Sequence, residues 1–162
     1  MNEFTIQNAL YWHLLQKGHA FIVPNIYLGS EESDLISVTK AGYINEYEIK
    51  CAKSDFRADF KKHKHGWLQN GRHQNKTISY FWFVIPVGLV EIEEIPDYAG
   101  HISVSYNKYY NVCVVKLEKR AKRLSTNKIT DRQKNEIFEK FMIRYWKMRA
   151  IVNEKQLQRA WC

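Results

Sequence analysis

A chain of 162 residues with 45% hydrophobic and 14% aromatic residues can bury one sizeable core, and this composition excludes an intrinsically disordered protein. The formal net charge of +8 favours a polyanionic partner, because neutralising phosphate groups releases counterions. Cys51, Cys113 and Cys162 lie far apart in the sequence, which argues against a disulfide framework or a zinc site.

No apolar run approaches the roughly twenty residues that a membrane-spanning helix needs. The N-terminus also lacks the basic and then apolar pattern of a secretory signal. We therefore expect a cytoplasmic protein with no membrane partner.

The first predicted element is a helix over residues 4–18. Its apolar residues recur at three- and four-residue spacing, as on the buried face of a helix, and Gly18 suits its C-terminal end. Glu3 and Gln7 are four residues apart, so they lie on the same side of the helix near its start.

Residues 20–28 are expected to form an edge strand or an extended link that is broken at Pro24. A loop over residues 29–33 then leads to a predicted β-hairpin. The hairpin strands cover residues 35–39 and 44–51, which are rich in β-branched and aromatic residues. The turn between them contains a glycine, the residue that adopts positive φ most easily.

The second hairpin strand has an unusual charge pattern, because Glu46, Glu48 and Lys50 share one face. A solvated strand face is one explanation, since charges of this kind also protect sheet edges. The other explanation is a site, because hairpin pairing would bring Asp34 close to Glu48. Two carboxylates beside a lysine suit a hard divalent cation, which prefers oxygen ligands.

These residues resemble the signature of the PD-(D/E)xK nuclease superfamily. Asp34 is followed by thirteen residues and then by Glu48-Ile49-Lys50, and Ser33 stands where a proline is often found. Within the superfamily, the chain is similar to small bacterial and phage proteins of the MmcB-like and VRR-NUC-like kind, which are linked to DNA repair or recombination. The resemblance implies a single α/β domain with a restriction-endonuclease-like core, in which helices flank a mixed central β-sheet. It also implies a bacterial or phage-infected host cell.

The resemblance further implies hydrolysis of DNA phosphodiester bonds with Mg²⁺ or Mn²⁺. Asp34, Glu48 and the main-chain carbonyl of Ile49 would hold the cation, and Lys50 would orient the nucleophile and stabilise developing negative charge.

Three further residues are candidates to assist this site. A glutamate in the first helix often completes the metal site of related nucleases, which makes Glu3 and Gln7 candidates, although Glu3 would also favour the helix dipole alone. Glu46 either assists from the strand face that it shares with Glu48 or pairs with a lysine.

A basic helix is predicted after the hairpin, with Ser54 or Asp55 as its N-cap and Gly66 at its end. Its basic side chains either contact the phosphate backbone beside the scissile bond or form a solvated face. Residues 66–76 are polar and are expected to form a loop. The candidates for nucleic-acid binding in this region are Lys53, Arg57, Lys61, Lys62, Lys64 and Arg72.

The second half of the chain supplies the rest of the predicted sheet. Residues 77–86 form a continuous apolar run, which is typical of a central strand covered on both faces. A short helix or turn over residues 87–95 follows, and then two strands over residues 101–106 and 111–116.

The C-terminal region is basic. Residues 116–134 form either a DNA-contacting loop or a solvated linker, and its candidates for nucleic-acid binding are Lys119, Arg120, Lys122 and Arg123. A final helix, capped by Thr130 or Asp131, carries apolar residues that would pack on the core or on a second subunit. We expect one nuclease-like domain over residues 1–162, with a basic helical segment from about residue 130.

The function predicted from the sequence is a metal-dependent DNA endonuclease. Cleavage of both strands would imply a symmetric homodimer, because one active site cuts one strand. A DNA-binding protein that keeps the fold without efficient catalysis is an alternative, and so is a nuclease directed at RNA, since nothing in the sequence indicates recognition of a 2′-hydroxyl. A small-molecule hydrolase is disfavoured, because the sequence has no glycine-rich phosphate loop and no nucleophilic serine motif.

Overall fold

The computed structural model describes residues 1–27, 31–69 and 78–160, with the backbone alone described for residues 155–160. It divides into two compact units, Met1–Ile129 and Thr130–Cys162. The elements of the first unit are α1 (Glu3–Gln16), β1 (His19–Tyr27), β2 (Glu32–Thr39), β3 (Ile44–Ile49), α2 (Lys53–Asp59), α3 (His63–Gln69), β4 (Ile78–Pro86), a 3-10 helix (Ile92–Glu94), β5 (Ala99–Asn107) and β6 (Val112–Lys119).

The first unit has an α/β fold with a mixed six-stranded sheet in the order β1-β2-β3-β4-β5-β6. The strands β3, β4 and β5 are parallel to one another, and the remaining neighbours are antiparallel. The predicted fold class, a mixed central sheet flanked by helices, is confirmed. The predicted central strand is also confirmed, because β4 lies between two parallel neighbours and most of it is buried.

The predicted hairpin is β2 and β3, which pair with Leu35 opposite Tyr47 and Val38 opposite Ile44. The turn between them ends at Gly42, whose φ of 89° is in the region that favours glycine. Two details differ from the sequence prediction. The strand β3 ends at Ile49, so Cys51 lies beyond it in a bend, and β2 already begins at Glu32, so Asp34 lies within the strand.

The first strand runs through Pro24 without a break, contrary to the prediction that this proline interrupts it. Pro24 is paired in register with Leu35. The reason is that β1 is an edge strand, where the amide hydrogen that proline lacks can face outward without loss of a sheet hydrogen bond.

One face of the sheet packs against α1, whose bounds agree with the predicted first helix. The helix ends before Gly18, which has a φ of 77° and a backbone amide bonded to the carbonyl of Leu15. The first core consists of Ile6, Leu10 and Leu14 of α1 with Leu35, Tyr47, Ile49, Val84, Ile102 and Val104 of the sheet.

The opposite face packs against α2, α3 and the segment that leads to β5. This second core consists of Phe56, Leu68, Phe81, Phe83, Ile85, Val90, Ile95, Tyr98 and Ala99. Because Tyr47 and Ile49 belong to the first core, strand alternation directs Glu46 and Glu48 to the side of α2 and α3.

The predicted single basic helix is wrong, because two short helices form in its place. The backbone amides of Lys61 and Lys62 bond to the carbonyls of Ala58 and Asp59, and this tight turn closes α2. The chain then restarts as α3, and Gly66 lies inside it instead of at its end. The predicted N-cap is also displaced, since α2 already starts at Lys53. Of the predicted loop over residues 66–76, residues 66–69 are helical and the rest lies outside the described residues.

The two predicted C-terminal strands are β5 and β6, which form an antiparallel pair. The predicted short helix or turn between β4 and β5 contains the 3-10 helix. The second unit is one helix, α4 (Asp131–Ala160). Thr130 caps its start, because Thr130 Oγ1 accepts from the Gln133 amide at 3.3 Å and Gln133 Oε1 accepts from the Thr130 amide at 3.0 Å.

Candidate active site

A buried group of acids and lysines lies between β3 and the α2–α3 segment. We call it the acid–lysine cluster; its members are Glu46, Glu48, Lys50, Asp59, Lys62 and Lys64. The side of β3 that carries Glu46 and Glu48, and Lys50 just beyond it, is at most 5% exposed. The solvated strand face is therefore wrong as an explanation of this charge pattern.

Glu48 is at the centre of the acid–lysine cluster and is fully buried. Its Oε2 lies 3.2 Å from Lys50 Nζ and 3.5 Å from Lys62 Nζ, and its Oε1 accepts from Lys64 Nζ. A buried carboxylate is stable only when opposite charge and hydrogen bonds replace its lost hydration. The three ammonium groups supply both.

Glu46 pairs with a lysine, which is one of the two arrangements considered from the sequence. Its Oε1 lies 3.4 Å from Lys64 Nζ and accepts a hydrogen bond of 2.9 Å from Ser33 Oγ. Burial raises the pKa of Glu46, and the positive charge of Lys64 opposes that rise. The buried position of Lys64 corrects the sequence prediction, which placed this residue on the exposed DNA-facing side of a helix. The cause is the break between α2 and α3, which turns Lys64 toward the sheet.

Lys50 is held between two carboxylates. Its Nζ is 2.8 Å from Asp59 Oδ1, in addition to its contact with Glu48. Burial alone would lower the pKa of Lys50, but the charges of Glu48 and Asp59 outweigh it and raise the pKa above its ordinary value. Burial likewise opposes ionisation of Asp59, yet hydrogen bonds from His65 and Lys50 hold its pKa below the ordinary range. Lys50 and Asp59 thus form a fully ionised pair.

Asp34 differs from the other acids of the site. Its Oδ2 accepts a hydrogen bond of 2.7 Å from the backbone amide of Ile49. In the described part of the chain, no lysine or arginine forms an ion pair with it. Burial, followed by the negative charge of Glu48, raises the pKa of Asp34 to about 6. The carboxylates of Asp34 and Glu48 thus repel each other, and Asp34 forms no ion pair within the described residues that would offset this repulsion.

The start of α1 lies beside Asp34. Gln7 Nε2 lies 3.1 Å from Glu3 Oε1, 3.1 Å from Asn25 Oδ1 and 3.0 Å from the main-chain oxygen of Asp34. Gln7 therefore ties the helix to β1 and β2 beside Asp34. Glu3 contributes a smaller share of the negative charge that raises the pKa of Asp34.

The donor atoms at Asp34 and Glu48 suit a divalent cation in charge and type. Mg²⁺ typically uses one or two carboxylates and keeps several waters, so it needs no larger protein cage. No group of three or more His, Cys, Asp or Glu side chains suited to a metal occurs among the residues that the structure describes. Positive charge beside Asp34 would relieve the repulsion that raises its pKa. A cation at Glu48 would compete with Lys64 for Oε1.

The other basic residues predicted to bind nucleic acid fall into two groups. Some have acidic or carbonyl partners: Lys53 Nζ is 2.7 Å from Glu94 Oε1, Arg57 is 4.0 Å from the same carboxylate, and Lys119 Nζ donates to the carbonyl of Ile95 at 2.7 Å. Arg123 also has a partner, because its Nε donates to the carbonyl of Ser125 at 3.3 Å. The exposed residues Lys61, Arg120 and Lys122 form the second group. Arg72 lies outside the described residues.

The sequence did not identify three residues of this region, namely Asp59 of the acid–lysine cluster and its neighbours His65 and Tyr98. His65 Nε2 is 2.6 Å from Asp59 Oδ2, and His65 Nδ1 is 2.7 Å from the Tyr98 hydroxyl. The sequence feature that could have identified Asp59 is its position as an acid between Arg57 and Lys61. Its partners could not be found from spacing, since Tyr98 is 33 residues from His65 in the chain.

Comparison with known proteins adds information on the fold alone. No family model matches the sequence, and no curated protein matches it. The chain is similar to a solved structure described as the SPO1766 protein of unknown function from Silicibacter pomeroyi. The TM-score is 0.65 at 15% sequence identity, and the match covers 96% of this chain and 94% of that chain. At this identity the likeness extends to the fold and not to an activity.

No helix in the described segments is both long and apolar enough to cross a membrane.

Proposed function

We propose that the chain is a metal-dependent nuclease of the PD-(D/E)xK superfamily that hydrolyses phosphodiester bonds in DNA. The observation that carries the proposal is Asp34, a half-buried carboxylate without an ion-pair partner in the described part of the chain, whose pKa is raised by desolvation and by the negative charge of Glu48. Such an arrangement destabilises the protein unless positive charge binds there, and perturbed acids of this kind are common at functional sites.

Asp34 and Glu48, with the main-chain carbonyl of Ile49, would hold Mg²⁺ or Mn²⁺. When bound, the cation would polarise the phosphate and lower the pKa of an attacking water. Lys50 Nζ donates a hydrogen bond of 3.2 Å to Glu48 Oε2, and from this position the ammonium group would orient that water and stabilise negative charge on phosphate oxygens. Gln7, with Glu3 beside it, fixes the backbone of Asp34.

The net charge of +8 supports a nucleic acid as the substrate. The exposed basic residues Lys61, Arg120 and Lys122 are available to contact phosphates. Repair, recombination or phage DNA processing in the cytoplasm of a bacterial cell is the role that this activity would serve. A symmetric homodimer would be needed to cut both strands, and sedimentation would test it.

One observation favours a second candidate, a DNA-binding protein without efficient catalysis. Both carboxylate oxygens of Glu48 are engaged by lysine ammonium groups. If Lys64 outcompetes divalent cations, the site would hold its own positive charge and would not cleave. DNA binding would then persist with no metal requirement.

A substrate panel separates these candidates. Plasmid, linear duplex, single-stranded, flapped and four-way-junction DNA, together with an RNA of matched sequence, are incubated with Mg²⁺, Mn²⁺ or EDTA. A nuclease gives products only with a divalent cation, and the preferred substrate defines its role. Salt-sensitive binding without products under any of these conditions would support the binding protein instead.

A further inference from the structure

We infer that Asp59, His65 and Tyr98 are positioning residues that hold the Lys50 ammonium group at the site independently of Glu48. A catalytic role for these residues rests on the proposed function. The series of contacts from Tyr98 to Lys50 is a property of the fold, and its effect on Lys50 can be measured without any activity.

The three residues form a continuous buried chain that ends on Lys50. The Tyr98 hydroxyl is 2.7 Å from His65 Nδ1, His65 Nε2 is 2.6 Å from Asp59 Oδ2, and Asp59 Oδ1 is 2.8 Å from Lys50 Nζ. Each of the four residues is at most 8% exposed. Water therefore competes little for these bonds, which makes each of them stronger than on a surface.

The direction of one bond in this chain follows from chemistry. An ionised carboxylate only accepts, so His65 Nε2 donates to Asp59 Oδ2, and the other ring nitrogen, Nδ1, shares a hydrogen bond with the Tyr98 hydroxyl. Asp59 Oδ1 lies in ion-pair contact with Lys50 Nζ at 2.8 Å and with Lys62 Nζ at 2.7 Å. The carboxylate is thereby fixed in the orientation that holds the ammonium group.

Aromatic packing fixes the imidazole as well. The His65 ring stacks on Phe83 with a centroid separation of 5.9 Å and an interplanar angle of 10°. Phe81 meets the same ring edge to face at 5.7 Å. Both phenylalanines lie in β4 and belong to the second core, so the packed sheet fixes the position of the His65 ring.

Lys50 has two carboxylate partners, Glu48 and Asp59, and this explains what the contacts from Tyr98 to Asp59 contribute to the site. Without Asp59, the nearest carboxylate to the ammonium group would be Glu48, which is a proposed metal ligand. Lys50 and the cation would then compete for the same oxygens. Asp59, which also pairs with Lys62, gives Lys50 a second counterion, so Glu48 can exchange an ammonium partner for a cation while Lys50 stays in place.

The test uses Tyr98→Phe and Asp59→Asn, with Tyr47→Phe as the matched control. Tyr47 is also buried, and its hydroxyl pairs with Ser37 at 3.1 Å in the first core, away from Lys50. The first readout is the order parameter of the Lys50 ε-methylene group, measured by ¹³C relaxation without metal or DNA. We expect a rigid Lys50 in the wild type and in Tyr47→Phe, and a clearly more mobile Lys50 in the other two variants.

The second readout is cleavage kinetics at saturating metal. We expect Tyr98→Phe to lower kcat by about tenfold with little change in KM for DNA, as for residues that orient a catalytic group. An unchanged Lys50 order parameter in both Tyr98→Phe and Asp59→Asn would overturn the inference. A wild type that cuts no substrate, yet shows the loss of Lys50 order in the variants, would overturn the proposed function and leave the positioning chain established.

Discussion

The carboxylate of Asp34 accepts a 2.7 Å hydrogen bond from the backbone amide of Ile49, the residue between Glu48 and Lys50. This bond joins the beginning of β2 to the end of β3, where the two strands bring their charged residues together. It satisfies one oxygen of Asp34 but supplies no positive charge. The carboxylate of Asp34 therefore remains costly to ionise, because desolvation and the negative charge of Glu48 both raise its pKa.

Replacement of Asp34 by asparagine should stabilise the protein at neutral pH. The raised pKa of about 6 in the folded state, against 3.8 as its ordinary value, means that the folded state binds more protons between these pH values. Stability therefore falls as pH rises from about 4 to about 6. Asparagine cannot ionise and still accepts from the Ile49 amide. We expect Asp34→Asn to be more stable than the wild type by about 1–3 kcal/mol at pH 7.

Urea unfolding in EDTA from pH 4 to pH 8 measures this difference. The difference in unfolding free energy between Asp34→Asn and the wild type should shrink toward zero near pH 4, where Asp34 is protonated in the folded wild type. Glu139→Gln removes one negative charge from an exposed position of α4 and serves as the control. If the wild type were more stable than Asp34→Asn at every pH in this range, ionisation of Asp34 would not destabilise the folded protein, which would contradict the prediction.

Removal of the Lys64 ammonium group should have the opposite effect. Lys64→Met leaves Glu46 and Glu48 buried without their shared partner, which should cost about 3–5 kcal/mol of unfolding free energy in EDTA. Mg²⁺ or Mn²⁺ should restore more stability to this variant than to the wild type, because Glu48 Oε1 is then open to the cation. Urea titrations with and without the metal give both quantities.

Lys61→Met provides the matched control for Lys64→Met. Lys61 lies three residues earlier and is exposed, so its replacement should change stability by no more than about 0.5 kcal/mol. Equal stabilities of the two variants would show that Lys64 does not balance the buried acids.

The exposed basic residues Arg120 and Lys122 should contribute to DNA affinity by neutralising phosphates. The double variant Arg120→Ala, Lys122→Ala should bind more weakly, and the slope of log Kobs against log salt should become shallower by about 0.9 for each phosphate that is no longer neutralised. Fluorescence anisotropy on a labelled duplex at several salt concentrations measures this slope. Lys108→Ala, an exposed position in the turn between β5 and β6, should leave the slope unchanged. A similar change of slope in both proteins would assign the effect to net charge alone.

Much of the fold could be predicted because its local patterns agree with its tertiary structure. The apolar run of β4 and the helical spacing of α1 indicate their elements directly. The charged face of β3 was predicted as well, but its burial was not, because Glu46, Glu48 and Lys50 fit both a solvated strand and a site.

The partners of that face could not be predicted from the sequence. No proline or glycine marks the break between α2 and α3, whereas Gly66 suggested an end where the helix continues. The break is stabilised by contacts between distant parts of the chain. It places Lys64 beside Glu46 and Glu48 of β3, and it places His65 beside Asp59 of α2. The pairing of His65 with Tyr98 depends on long-range packing, which no spacing rule records.

Cleavage of supercoiled plasmid by wild type and Asp34→Asn, with Mg²⁺, Mn²⁺ or EDTA, tests the proposed nuclease most directly. The variant is expected to be folded and more stable than the wild type, so loss of activity could not be attributed to unfolding. We predict nicked or linear products from the wild type with a divalent cation, none with EDTA, and none from Asp34→Asn. Equal cleavage by both proteins, or cleavage that persists in EDTA, would contradict a metal-dependent site at Asp34.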